Sequence, residues 1–185
     1  MVKRAHQLDE TRARIVAATV HLHGTVGPAN TTVSAIAETA GVTRVTVYRH
    51  FPDEDALFAA CTSHWAAQQR MPDVVGWREI PAPQDRARAA LTDLYRFFDE
   101  AEPMLTLTNR DRDVLPNFVR ARNQQTSQTQ IDALLQAWPP RQRTKRRRAL
   151  IGHAMSFATW RSLCVDQALP QRDAVGAMTR LVVDC

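Results

Sequence analysis

TTVSAIAETAGVTRVTVYRHF, residues 31–51, is the stretch whose reading decides the fold. It reads as a short helix, a turn containing a glycine, and a second short helix. Thr32 suits an N-cap, because its hydroxyl can accept from an orphan backbone N–H, and Val33, Ile36, Ala37 and Ala40 follow on one face. Gly41 ends that helix, and the next begins after Thr43. Local propensity opposes the second helix, since Thr43, Val45, Thr46 and Val47 are all β-branched, and TRVTVYRHF alone could be a strand. Gly41 at the turn, Thr43 as cap and the strongly helical IAETA just before them decide for the helix.

Helical spacing turns Val47 and Phe51 inward and leaves Thr43, Arg44, Val45 and Thr46 on the outward first turn. A second helix presented in this way can enter the major groove of DNA with its first turn against base edges. Arg44 can donate two hydrogen bonds to guanine O6 and N7, Val45 can meet a thymine methyl, and Thr46 can contact a base or a phosphate. Tyr48, Arg49 and His50 carry donors that reach phosphate oxygens and fix register without reading sequence.

Charge supports nucleic-acid binding only weakly. The chain carries a formal +5. Residues 1–51 hold six basic side chains (Lys3, Arg4, Arg12, Arg14, Arg44, Arg49) against Asp9, Glu10 and Glu38, a balance of +3 that Asp53, Glu54 and Asp55 cancel. The largest basic run, RQRTKRRR at 141–148, lies far from the motif and reads as the solvated start of a helix.

The rest of the chain reads all-α, with no sustained strand alternation and no internal repeat. A first helix is expected over about Asp9–Leu22, with Ile15, Ala18, Thr19 and Leu22 on its core face and GTVGP at 24–28 as its stop. PDEDALF opens a fourth helix with Asp53 as cap. Residues 71–84 look like a loop. Helices are expected over about Gln84–Ala101, Leu115–Ala137 and Arg141–Gln167, Pro103 opens a short segment to about Arg110, and a last helix opens at Pro170.

Residues 11–58, from TRARIVAATVHLHG to GVTRVTVYRHFPDEDALF, resemble the DNA-binding domain of TetR-family regulators almost position for position, over about a quarter of the chain. The resemblance implies that Thr32 and Val33 hold phosphate at the start of the motif's first helix, that Ser34 and Arg44 face bases, and that Tyr48 and His50 clamp the backbone. It also implies an all-helical C-terminal domain that dimerises and encloses a small-molecule pocket. SFATWRSLCVDQ and RDAVGAMTRLV resemble that family's last two helices less specifically. Two residues depart from the pattern: His23 stands where a large buried aromatic is usual, and Glu54 where a lysine often approaches phosphate.

The expectation is thus an all-α protein with an N-terminal three-helix helix-turn-helix domain over residues 1–50 and a C-terminal helical bundle over 51–185 for effector and dimerisation. It would be a ligand-responsive repressor that grips a palindromic double-stranded operator as a homodimer. The apolar stripe Phe157, Trp160, Leu163, Val175, Met178, Leu181, Val182 would form the dimer contact. Tyr95, Phe98, Met104, Asn109, Phe118, Arg122, Gln125, Met155 and Trp160, with Trp138 and Phe157, are the candidates for an effector pocket, the polar ones because a ligand can satisfy them.

No nucleophile elbow, phosphate-cradling glycine loop or metal-ligand spacing is present, so no enzyme, cofactor or metal is expected. His21 and His23, two apart, would point to different helix faces, and Asp111 and Asp113 read as solvated loop carboxylates. Three widely spaced cysteines read as free thiols. With neither a signal-peptide core nor a membrane-length apolar run, a cytoplasmic protein is expected.

Overall fold

A computed structural model describes the backbone of residues 2–185 and the side chains from Leu8 onward; Lys3 and Arg4, two of the N-terminal charges, lie outside the described side chains. Among the described residues there are eleven α-helices and no strand. They are α1 (Val2–Thr25), α2 (Val33–Ala40), α3 (Arg44–His50), α4 (Glu54–Ala67), α5 (Val74–Glu79) and α6 (Pro83–Glu100). α7 (Glu102–Arg110), α8 (Asn117–Leu135), α9 (Lys145–Ala154), α10 (Phe157–Trp160) and α11 (Gln171–Val183) follow. No described helix is long and apolar enough to cross a membrane.

Packing divides the chain into two compact units, one of residues 1–69 and 102–121, the other of 70–101 and 122–185. This is a division by contact, distinct from the functional boundary expected at residue 50.

The first unit is built on α1. Its face Ile15, Val16 and Ala18 joins Ile36, Ala37 and Ala40 of α2, Val47 and Phe51 at α3, and Leu57 and Cys61 of α4 in one buried core. Thr19 joins that face at 1% exposure because its hydroxyl donates to the Ile15 carbonyl at 2.8 Å. A hydroxyl satisfied by its own helix can be buried at little cost. Helix α1 begins at Val2, well before the expected Asp9, and ends at Thr25 within the glycine-proline stop. Burial pushes the Cys61 thiol up to about 11, which leaves it protonated and unreactive.

The second unit packs α6 along α11, with α9 against α11. Leu91, Leu94 and Tyr95 of α6, Ile151 of α9 and Val182 of α11 are almost wholly enclosed. The Tyr95 hydroxyl donates to the Ala154 carbonyl at 2.9 Å, which satisfies the one polar atom of that ring.

Three sequence expectations need correction here. Residues 71–84 contain helix α5, because Asp73 caps it by accepting from the Gly76 N–H at 2.9 Å and Trp77 is buried with its indole N–H donating to Asp93 at 3.1 Å. Asp93 also accepts from the Asp73 N–H at 2.7 Å and from Arg96 at 2.7 Å, so one carboxylate of α6 ties the segment down. The single helix expected over 141–167 is broken at Met155, where Ser156 starts α10 by accepting from the Thr159 N–H at 3.1 Å. Beyond Trp160 the chain continues in π-helical turns over Arg161–Asp166.

The third correction concerns the arginine run. Arg147 is buried at 6% exposure against Trp138 and donates to the carbonyls of Gln142, at 2.8 Å, and Cys185. Arg143 donates to the carbonyls of Trp138 at 2.7 Å and Gln136 at 3.1 Å, just past the end of α8. Guanidinium groups placed at a helix C-terminus satisfy its orphan carbonyls. Arg148 pairs with Asp132 at 2.5 Å. Only part of the run is therefore a solvated face.

Candidate nucleic-acid interface

The motif forms from caps that the sequence places. Thr32 accepts from the Ala35 N–H at 3.1 Å to open α2, and Gly41 closes it at φ 64°, a left-handed conformation that a glycine adopts freely. Thr43 accepts from the Thr46 N–H at 3.2 Å to open α3. Its hydroxyl also shares a 2.9 Å hydrogen bond with that of Thr46. Capping fixes both threonines, so α3 begins in one geometry despite its β-branched residues.

The rear of α3 is closed and its front is open. Val47 and Phe51 are each 2% exposed, while Val45 is 76% exposed and Tyr48 51%. Arg44 and Arg49 are exposed beside them, and so are Thr32 and Ser34 on the approach to α2. Val33, Thr46 and His50 are half-buried. The open face of α3 thus brings an apolar side chain, a phenol hydroxyl and two guanidinium groups together, on a helix whose other face is core.

His50 differs from expectation in one respect. Its Nε2 is enclosed without a hydrogen-bond partner, which leaves Nδ1 as the ring nitrogen for an outside contact. Its pKa is lowered by burial first, then by the Arg49 and Arg12 charges, so the ring favours its neutral form. Glu54 stands exposed in the first turn of α4, close in sequence to the basic end of α3. His23 takes the place of the expected aromatic by stacking on Phe58, with ring centroids 4.9 Å apart. Burial lowers its pKa to about 4. Beside it a cleft of about 260 Å³ opens between α1, α3 and α4, bounded by Tyr48, Leu57 and Phe58 among others.

A glycine-turned helix pair with a buried rear and an open first turn defines a helix-turn-helix protein. Residues 15–61 match the family described as bacterial regulatory proteins, tetR family. That match covers about a quarter of the chain and coincides with the helix-turn-helix segment. Its fold is similar to that of a tetR-family transcriptional regulator from Streptomyces coelicolor, at 20% identity and a TM-score of 0.62 over 95% of this chain and 78% of that one. It is also similar to a TetR-like transcriptional regulator from Rhodococcus sp. RHA1, at 19% identity and 0.65 over 93% of each chain. A second TetR transcriptional regulator from Rhodococcus sp. RHA1 gives 18% identity and 0.52 over 95% of each chain. No curated protein matches the sequence.

The effector candidates separate into groups. Tyr95, Phe98, Met155 and Trp160 are all buried in the second unit. Phe98 lies 5.5 Å from Phe157 and 6.0 Å from Trp160, ring centre to ring centre. The Trp160 indole N–H and the Thr179 hydroxyl of that unit are buried without partners. Trp138 is buried in the same unit beneath Arg147. Met104, Asn109 and Phe118 belong to the first unit instead. Asn109 is exposed and donates to the Leu105 carbonyl of its own helix at 2.8 Å. Arg122 and Gln125 are exposed on the polar stretch of α8, so they do not converge on the aromatic group. Sequence reasoning missed Thr179, whose isolated hydroxyl gives no signal, and misread Asp111, which is buried rather than solvated.

The expected dimer stripe is also divided. Trp160, Val175 and Val182 are buried within their own chain, which leaves Phe157, Leu163, Met178 and Leu181 half-exposed and Val165 44% exposed.

Proposed function

We propose that this chain is a TetR-family transcriptional regulator, a repressor that acts in the cytoplasm, binding a palindromic operator as a homodimer and releasing it when a small-molecule effector occupies the C-terminal unit. The carrying observation is the open first turn of α3, with exposed Arg44 and Val45 set on a rear closed by Val47 and Phe51. In this reading Thr43, Arg44, Val45, Thr46 and Ser34 meet base edges or the adjacent backbone, while Thr32, Val33, Tyr48, Arg49 and His50 hold phosphates.

Two recognition helices related by a dyad read half-sites about 34–36 Å apart or a multiple of it, so dimerisation follows from operator symmetry. Half-exposed Phe157, Leu163, Met178 and Leu181 with exposed Val165 are the apolar residues left for a second copy. For the effector, the buried and unpartnered Trp160 N–H supports a lipophilic molecule that carries a hydrogen-bond acceptor. Gel shift with the DNA upstream of the protein's own gene tests the reading, followed by thermal-shift hits added to the complex. Specific retardation that stabilising ligands abolish is the expected result; no retardation at low salt overturns it.

A further inference from the structure

The turn that joins α1 to α2 is gripped from outside the motif. Asp111, with only 6% of its side chain exposed, accepts from the Ala29 N–H at 3.0 Å. The same carboxylate takes two hydrogen bonds from its neighbour Arg110, from Nε at 2.7 Å and from Nη2 at 2.9 Å. Arg110 Nη2 also donates to the Val26 carbonyl at 2.9 Å. Two adjacent side chains at the end of α7 thus hold one carbonyl and one N–H of the same turn.

Gly27 lies between those two anchor points, and its backbone makes the approach possible. It sits at φ 91° and ψ 160°, a conformation reserved in practice for glycine. A Cβ there would collide with both the Arg110 guanidinium and the Asp111 carboxylate. The chain then passes through a single 3-10 turn, Pro28–Asn30, and Thr31, whose hydroxyl donates to the Gly27 carbonyl at 2.8 Å. Thr32 follows at once as the cap of α2.

We infer that Arg110 and Asp111 are positioning residues for DNA binding, which set the start of α2 without belonging to the exposed face of the motif. The inference rests on the operator-binding reading. Contacts to DNA at the first turn of α2, phosphate at Thr32 and base edge at Ser34, need those side chains and the helix N–H groups placed to about 0.5 Å. Within the turn, the Val26 and Gly27 N–H groups bond only back to α1, both to the Leu22 carbonyl. The Arg110–Asp111 pair supplies a second, charged tether from a different element. The tether is reciprocal: a displacement of α7 frees the turn, and bound DNA that holds the turn holds α7. The Arg110 hydrogen bonds keep the Asp111 carboxyl below the usual carboxylate range, so the tether persists at any pH used for DNA binding.

The test uses the full chain with Asp111→Ala, Asp111→Asn and Arg110→Lys. Ala29 amide hydrogen exchange reports the grip, operator affinity reports its consequence, and both are measured well below the melting temperature. Asp111→Ala should speed Ala29 exchange and weaken operator binding by about tenfold or more. Asp111→Asn, which keeps an acceptor for Ala29, should recover part of both. Arg110→Lys, a single donor in place of a fork, should fall between. Should Asp111→Ala fail to fold, the two conservative variants still decide. Fast Ala29 exchange with wild-type affinity overturns the positioning role, and unchanged exchange overturns the grip. A wild-type protein that binds no upstream DNA overturns the operator reading itself, a result distinct from variants that bind as well as wild type.

Discussion

The guanidinium of Arg12 lies 4.2 Å from the centre of the Phe51 ring, and its Nη1 donates to the His50 carbonyl at 3.1 Å. A cation from α1 therefore seals the C-terminal end of α3, where the helix dipole favours positive charge. Arg12 counts towards the basic total of the N-terminal residues, yet its side chain is engaged in folding. Arg12→Ala should lower stability by about 1–2.5 kcal/mol, the sum expected of an exposed cation–π contact and a terminal hydrogen bond. Arg12→Lys should recover little, because a lysine cannot lie flat on the ring and reach the carbonyl together. Denaturant unfolding of the three proteins checks this, and equal midpoints would show that the contact contributes nothing.

His23 predicts acid sensitivity of the N-terminal unit. Its pKa falls from 6.5 in the unfolded chain to about 4 in the fold. Between those values the unfolded state binds more protons, so stability is complete above about pH 6.5 and declines as pH falls towards 4. The full loss is on the order of 3 kcal/mol. His23→Phe should remove most of that slope while keeping the stack on Phe58, and the adjacent cleft leaves room for the larger ring. Thermal unfolding at pH 7.5 and pH 5 decides: a wild-type melting temperature as high at pH 5 as at 7.5 would count against the burial argument.

How much of this was legible in the sequence follows from the range of the interactions. Thr32, Gly41, Thr43 and Asp53 act within three or four residues of themselves, and each caps its helix as its local pattern implies. The inward Val47 and Phe51 follow from spacing alone. Helix α5 was not legible, because a carboxylate 20 positions away, Asp93, supplies the bond that orders its start. Asp111 was misread for the same reason: its partner Ala29 is 82 positions distant, and a carboxylate in a charged stretch looks solvated until the turn it holds is known. The broken 141–167 segment was missed because Ser156 reads equally well as a helix interior residue or as a cap.

Basic residues in the 141–148 run should differ sharply from one another. Arg141, Lys145 and Arg146 are exposed, whereas Arg147 is buried and bonded to two carbonyls. Replacing the exposed three with glutamine should leave stability within about 0.5 kcal/mol and leave the salt slope of operator binding unchanged. Arg147→Gln should cost about 1–3 kcal/mol, since it removes two charge-assisted hydrogen bonds and the guanidinium packed on Trp138. A flattened salt slope in the triple variant would instead place the run on DNA.

The motif itself should divide by role, because Arg44 stands on the first turn of α3 and Tyr48 one turn later, both exposed. Arg44→Ala should cost about 1–3 kcal/mol on the operator and far less on random DNA, since a lost bidentate contact to guanine removes discrimination along with affinity. Specificity should relax at one base pair per half-site. Tyr48→Phe should weaken both DNAs by similar factors, by about 1 kcal/mol, because a neutral hydroxyl that donates to phosphate carries no sequence information. Its salt slope should barely change, as no cation is lost. Competition titrations against operator and random duplexes at two salt concentrations separate the outcomes. Equal losses on both DNAs for Arg44→Ala would make Arg44 a phosphate contact, and base reading would then fall to Ser34, Val45 and Thr46.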